Sequence, residues 1–511
     1  MSTRIVVVGG GTAGARLAQR LPVTLLGEEP HAPYNRVLLA DVLAGRYAPE
    51  VIALPAPREP VRLGVRAVRI DRAARTVECA DGSLVAYDRL VLATGSNPVL
   101  PPLRGLRGAV LPAGVHPFRT LDDCLALRAL VRPGVRAVVI GGGLLGVSAA
   151  RALAALGADV VLTQQGERLM ERQLDSHASA LLRSHVESLG VEVHTECRVS
   201  GLRQRDGTVT AVELADGYVL DAQVVVLACG VRPRVSLARS AGLSVAAGIV
   251  VDDELRTSDP SIHAIGDCAE HAGHVYGLAG PALEQADVLA DLLLAETSAL
   301  SGGPSAGTSA PAPREAATAP VPGVAPLPCG QSSRSGGPPW TKSSGEGRVG
   351  TRDGAPSGAS AFRALTRTTG DGAQGVRAQA REPLAPAGAP SAVPTRSAPA
   401  ERLPTAAEAA PTARYTGTRA LTRLTLGGPH PLDLAAFGQV TPEPGDDVVQ
   451  LTDATRAAYR KVVVRGDRLV GGVLLGDLAA VGALARAWEG DEALPDEAPL
   501  LHLLTHDGGS S

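Results

Sequence analysis

The chain has 511 residues, of which 45% are hydrophobic, 2% aromatic and 20% charged, with a formal net charge of −3. That length allows about two to four domains, and the apolar share is enough for substantial cores. Near-neutral charge and scarce aromatic rings argue against nucleic-acid binding, which needs a basic footprint or stacking platforms for bases.

In chain order, "RIVVVGG" at 4–10 reads as a continuous apolar strand, "TAGARLAQRL" as a helix ended by Pro22, and "VTLLGEE" as a second strand. "RAVVIGG", "LLGVSAARALAALG" and "ADVVLTQ" repeat the plan between 136 and 164. Unbroken Val/Ile/Leu strands followed by helices predict parallel sheets covered on both faces. From about 297 to 412 the sequence is Ala, Pro, Gly, Ser and Thr with little periodicity, and is expected to be a disordered tether. Order is expected to return in a small α+β domain over 413–490. Its predicted strands are "RALTRLTL", "DVVQLTD", "AAYRKVVVRG" and "RLVGGVLLGD", the last two joined by a turn at Gly466-Asp467. A helix, "LAAVGALARAWEG", follows, and 491–511 reads as a tail.

The N-terminal apolar run is interrupted by Arg16 and Arg20, which argues against a secretory signal. The longest apolar region, 137–162, carries Arg151 and Asp159 and is too interrupted to span a membrane. Six scattered cysteines at 79, 124, 197, 229, 268 and 329 form no Cys-x-x-Cys, so neither a zinc ribbon nor a local dithiol is signalled. They suit a reducing compartment, and a cytoplasmic location is expected. His271 and His274 have no third ligand nearby in sequence, so no metal site is expected.

The chemistry lies in two glycine fingerprints. Gly9-x-Gly11-x-x-Gly14 stands between a strand and a helix. The first glycine permits the tight turn, the second lets backbone approach a pyrophosphate, and the third allows close helix–strand packing. The phosphates would meet the free N–H groups at the helix start. Glu29 closes the second strand at the interval suited to an acid that binds ribose hydroxyls. Gly141-x-Gly143-x-x-Gly146 repeats the motif, but its second strand ends at Gln164-Gln165. An acid there would mark NAD and a base NADP, so the preference stays open. Two fingerprints suggest two dinucleotides and a relay between them.

With "LVLATGSNP" at 90–98, "LACGVRP" at 227–233 and "AIGDCAEH" at 264–271, these motifs resemble the two-dinucleotide-binding flavoproteins of the pyridine nucleotide–disulphide oxidoreductase superfamily. The resemblance covers about 1–296. It implies an α/β fold of two Rossmann-like domains with parallel sheets. The FAD domain would comprise 1–113 and 247–296, and the NAD(P) domain 114–246. FAD would be held by Gly9, Gly11, Thr12, Ala13, Gly14, Glu29, Arg36, Ala67, Ala93, Thr94, Gly95, Gly266 and Asp267. Arg36 would face the pyrophosphate. Asp267 would accept a hydrogen bond from the ribityl chain, its charge eased by the start of the following helix. NAD(P)H would be held by Gly141, Gly143, Leu144, Leu145, Gly146, Gln164 and Gly230. Cys268 is expected to be a buried packing residue. No redox cysteine follows the first Rossmann unit, which argues against thiol chemistry.

"EEPHAPYNRVLLADVLAG" at 28–45, "RQLD" at 172–175 and "YGLAGPALEQADVLADLL" at 276–293 narrow the resemblance. It is to the flavin modules of assimilatory NAD(P)H-nitrite reductase large subunits and nitrate reductase electron-transfer subunits. Rubredoxin and ferredoxin reductases are related, and their equivalent loop often carries a lysine near the flavin where Asp41 stands here. Residues 415–440 and 457–477 resemble the small domain that follows the flavin module, here displaced by the 297–412 insertion. Full nitrite reductases continue into iron–sulfur and sirohaem modules with clustered cysteines, which this sequence lacks. The implied function is an FAD-dependent NAD(P)H oxidoreductase with no catalytic acid or base. It would pass electrons to a separate iron–sulfur or haem partner in nitrate or nitrite assimilation, and a homodimer is among the assemblies this allows. The alternatives are a rubredoxin or ferredoxin reductase, or a non-catalytic flavin-binding redox sensor.

Overall fold

The computed structural model describes residues 3–106, 110–301, 413–419, 421–427, 431–453, 455–491, 493–494 and 504. The expected tether lies outside these residues from 302 onward. Its first positions belong instead to a helix, Ala279–Ser301.

The apolar run at the N-terminus forms strand Ile5–Val8, buried along its whole length. It sits inside a four-stranded parallel sheet in the order Ile262–Ala264, Arg89–Leu92, Ile5–Val8, Thr24–Leu26. Val7, Leu90, Val91 and Leu92 are wholly enclosed, each side chain contributing roughly 1.5–3 kcal/mol by leaving water. Helices Thr12–Arg20 and Ala279–Ser301 pack together beside the sheet. Arg16 and Arg20 reach Asp287 and Asp291 across that contact at 2.8 and 2.6 Å. A three-stranded antiparallel sheet, Ala67–Asp71, Thr76–Cys79 and Leu84–Ala86, adds Ile70, Val77 and Cys79 to the same core.

The second parallel sheet has five strands in the order Val191–His194, Asp159–Thr163, Arg136–Ile140, Val224–Leu227, Val115–Pro117. Helices Leu121–Leu130, Leu144–Ala155 and Ser176–Ser188 bury their apolar faces in one core. An antiparallel sheet from Val199 to Asp221 covers the other face. The two parallel-sheet regions are stitched by a short ladder, Ser96–Pro98 with Val231–Pro233. After it the chain has already returned to the first region. Ala238 and Leu243 lie in the first core, and Thr94 Oγ1 donates to the Arg234 carbonyl at 2.7 Å. Ala238 and Leu243 thus pack in the first core although they precede the expected return at 247.

The C-terminal region is a five-stranded antiparallel sheet in the order Thr422–Leu426, Leu432–Gly438, Arg468–Leu475, Ala458–Arg465, Asp447–Asp453, with helix Val481–Glu489. Strand alternation gives it two apolar faces. Leu434 and Ala436 join the core of the second region, while Ala435 and Phe437 pack with Leu484 and Trp488. The Gly466-Asp467 turn forms as expected, with Arg465 paired to Arg468. The supposed tail is partly structural: Leu504 is fully buried in the C-terminal core, and Leu494 N–H donates to the Asp467 carbonyl at 2.7 Å. Among the described residues no helix is long and apolar enough to cross a membrane.

Candidate functional site

Both fingerprints fold as strand–turn–helix. Gly9 and Gly141 adopt φ of +119° and +115°, a region closed to residues with a side chain. A Cβ on Gly9 would strike the Ala93 carbonyl, and one on Gly141 the Ala228 carbonyl. The third glycines, Gly14 and Gly146, lie directly on the carbonyls of Gly9 and Gly141. The middle glycines differ: a Cβ on Gly11 or Gly143 would meet only open space. Those two residues cap the helices Thr12–Arg20 and Leu144–Ala155, and neither cap has a side-chain acceptor. Free N–H groups, a positive dipole end and an open approach suit a bound pyrophosphate at each turn.

A cleft of about 950 Å³ runs over the first turn. Gly9, Gly11, Glu29, Arg36, Ala67 and Thr94 line it. A second, of about 1080 Å³, is lined by Gly141, Gly143, Leu144, Leu145, Gln164 and Gly230, and also by Thr12, Ala13, Gly266 and Asp267. Arg36, Ser96 and Arg119 line both, so the clefts meet at these three side chains. Of the expected residues, Gly14, Ala93, Gly95 and Gly146 line neither cleft. Gly14, Ala93 and Gly146 shape the turns from behind, and Gly95 N–H-side backbone carries φ +70° beside Thr94.

Asp267 sits at the junction. Its Oδ2 accepts from Arg119 Nη2 at 2.6 Å and from Ser96 Oγ at 2.9 Å. Arg119 also donates to Ser96 Oγ at 2.7 Å. The expected helix start behind Asp267 is absent: Gly266–Cys268 is a single 3-10 turn that runs into strand Ala269–His271. Charge compensation comes from the guanidinium instead. Cys268 is fully buried, its thiol pushed up by desolvation, and it donates to the Leu92 and Ile265 carbonyls at 3.3 Å. Gln285, also buried, accepts from Gly266 N–H at 2.7 Å and fixes the turn.

Glu29 and Arg36 form an ion pair, and the Tyr34 hydroxyl donates to Glu29 at 2.5 Å. Arg36 donates to the Arg119 carbonyl at 3.1 Å, which ties this pair to the junction. Burial opposes the Arg36 charge, but the Tyr34 oxygen and Glu29 outweigh it and hold the guanidinium above its usual value. Burial likewise pushes the Tyr34 hydroxyl up, keeping it a donor. A carboxylate offers about four acceptor sites, so Glu29 retains capacity for ribose hydroxyls. Asp41 does not face the clefts. It pairs with buried Arg151 at 2.8 Å and with Arg46 at 3.1 Å, and Arg36, Val37 and Ala40 line the cleft from that segment.

Sequence reasoning missed Ser96, Arg119, Tyr34 and Gln285. The local signal for Arg119 was the capping box at Thr120 and Asp123, which rigidifies the residue just before the helix. Nothing local announced its partner at 267.

Two parallel-sheet units, each with an open glycine turn, and clefts that meet define an α/β protein of two Rossmann-like regions. The sequence profile of the pyridine nucleotide-disulphide oxidoreductase family matches residues 3–286, and the chain belongs to that family. The profile of the rubredoxin NAD+ reductase C-terminal domain matches residues 430–489. The chain is 37% identical over 304 residues to the assimilatory nitrate reductase electron transfer subunit of Bacillus subtilis (strain 168), covering 56% of this chain and 38% of that protein. It is 34% identical over 282 residues to the biphenyl dioxygenase system ferredoxin–NAD(+) reductase component of Paraburkholderia xenovorans (strain LB400), covering 53% and 68%. The ferredoxin reductase for the CYP199A2 system from Rhodopseudomonas palustris has a similar fold, with a TM-score of 0.67, 22% identity, and 99% of both chains covered.

Proposed function

We propose that the chain is an FAD-dependent NAD(P)H oxidoreductase that delivers electrons to a separate redox protein, as the electron-transfer component of assimilatory nitrate or nitrite reduction. The observation that carries this reading is the shared wall of the two clefts at Arg36, Ser96 and Arg119. FAD, once bound, supplies a hydride acceptor that can release electrons singly. Everything else is holding and alignment. Gly11, Thr12 and Ala13 would present backbone N–H groups to its pyrophosphate. Gly9 and Gly14 would hold the turn that aims them, with the Gly9 N–H spent on the Leu26 carbonyl. Arg36 would offset the phosphate charge, and Glu29 would take the ribose hydroxyls. Ala67 would back the adenine and Thr94 would wall the centre, with Ala93 and Gly95 supporting Thr94 and the glycine turn from behind. Gly266 and Asp267 receive the ribityl chain. For the nicotinamide dinucleotide, Gly143, Leu144 and Leu145 would present the backbone N–H groups, Gly141 and Gly146 would hold the turn, Gln164 would brace it through Gly142 N–H, and Gly230 would line the cleft. The FAD domain is then 1–113 with about 231–301, and the NAD(P) domain 114–230.

The nitrate-assimilation assignment is supported by the identity to the nitrate reductase electron transfer subunit, of which this chain spans 38%. A second reading, reduction of ferredoxin or rubredoxin, is favoured by the C-terminal match at 430–489 and by the 68% coverage of the ferredoxin reductase component. The test presents the FAD-loaded, NADH-reduced chain anaerobically to purified assimilatory nitrate or nitrite reductase catalytic subunits, to ferredoxin and to rubredoxin. Preferential oxidation by the first supports the proposal, and by either small carrier the second reading. Flavin that NAD(P)H never reduces would leave only a redox sensor.

A further inference from the structure

The strand end that ordinarily reads the adenosine ribose of a nicotinamide dinucleotide carries no acid here, and Gln164 is not free to substitute. Its Oε1 accepts from Gly142 N–H at 2.8 Å, so the side chain is folded onto the glycine turn. An acid does reach this place, from later in the chain. Gly166 follows the strand, and a Cβ added there would overlap the Glu171 carboxylate, which lies directly against that backbone. Gln164, Gln165, Gly166 and Glu171 all line the second cleft.

The loop that brings Glu171 back is built firmly. Met170 N–H donates to the Gly142 carbonyl at 2.9 Å, and the Met170 carbonyl accepts from Gln173 and Leu174 N–H at 2.9 Å each. Met170 is buried at φ +49°, a left-handed conformation that a side-chain-bearing residue adopts only when its surroundings enforce it. That reversal turns the next residue over Gly166. Among the described residues no hydrogen bond or ion pair engages the Glu171 carboxylate.

We propose that Glu171 is the residue that discriminates between the two nicotinamide dinucleotides, accepting from the adenosine ribose hydroxyls of NAD(H) and repelling the 2′-phosphate of NADP(H). The assignment rests on the second cleft being the nicotinamide-dinucleotide site. An unpaired carboxylate beside a hydroxyl pair gains charge-assisted hydrogen bonds, whereas beside a phosphate it meets like charge. The chain is thus an NADH enzyme whose ribose acid has moved from the strand end to the far side of the following loop.

The test is calorimetric binding of NAD+ and of NADP+ to the full, FAD-loaded chain at low salt, for the wild type, Glu171→Gln and Glu171→Arg. The wild type is expected to bind NAD+ more tightly by about tenfold or more. Glu171→Gln should shrink that ratio to within about threefold and remove its salt dependence, and Glu171→Arg should invert it. NADP+ binding as tightly as NAD+ in the wild type would overturn the inference, since Arg172 lines the same cleft and would then dominate. So would a ratio that Glu171→Gln leaves unchanged. If neither nucleotide binds the folded wild type, the reading of the cleft itself falls as well.

Discussion

Replacing Arg119 with alanine removes the guanidinium that donates to Asp267 at 2.6 Å and to Ser96 at 2.7 Å. Deleting one partner of a well-buried ion pair costs ~3–5 kcal/mol, because the other charge stays behind without compensation. The Arg119 and Asp267 side chains are 19% and 17% exposed, so water reaches both and reduces that cost. Ser96 still donates to Asp267 at 2.9 Å. A loss of about 2–3 kcal/mol is therefore expected for the flavin-free protein. Urea unfolding of the wild type, Arg119→Ala, Asp267→Asn and the double variant measures both the loss and the coupling. Asp267→Asn should recover at least about 1 kcal/mol in the Arg119→Ala background, since it removes the stranded charge. A single-variant loss below about 0.5 kcal/mol, or strictly additive losses, would refute the idea that this pair holds the junction together.

The two glycines of the first turn should fail in different ways. Gly14→Ala drives a Cβ into the Gly9 carbonyl and is expected to lower the melting temperature of the flavin-free protein, whereas Gly11→Ala meets open space and should leave it unchanged while weakening FAD retention during dialysis. Asp267→Ala should weaken flavin binding by roughly 1–3 kcal/mol, read by fluorescence titration, and a variant that keeps its flavin undiminished would count against the ribityl contact. Burial opposes ionisation of Asp175, but hydrogen bonds from Tyr459, Ala178 and Lys461 outweigh it and hold the carboxyl below its ordinary value. Its stabilising effect is therefore complete above the unfolded value of about 3.9 and is lost as pH falls through the lower folded value. The difference in urea midpoint between wild type and the Asp175→Asn variant should be constant from pH 7 to 5 and shrink toward pH 2. Excising residues 305–408 should leave NADH-driven flavin reduction intact, and a truncated chain that no longer folds would rule out a tether there.

What the sequence revealed was local. Each fingerprint was legible because its strand, glycines and helix are contiguous, and the third glycine of each answers to the first, five residues away, although the first also answers to a distant carbonyl, Ala93 or Ala228. The strand pairing of Gly466-Asp467 was readable for the same reason. Strand Leu432–Gly438 was not, because Ala435 and Ala436 blur its alternation and it follows Gly-Gly-Pro-His-Pro. The junction was illegible for a different reason: Arg119 and Asp267 stand 148 positions apart, and only the packing of two sheets brings them together. The same holds for Asp41, whose partner Arg151 is 110 positions away. Position 41 suggested a cleft residue by analogy, but the helix turn aims it at Arg151 in the neighbouring core. Glu171 was hidden by a loop reversal at Met170 that no propensity announces.

The proposed function requires nicotinamide and flavin to meet where Arg36, Ser96 and Arg119 border both clefts. Its most direct measurement is the flavin absorbance of the FAD-loaded chain after anaerobic stopped-flow mixing with NADH. The account predicts near-stoichiometric flavin and rapid bleaching of its visible band. A chain that takes up no flavin, or one whose band persists with saturating nucleotide, would contradict it.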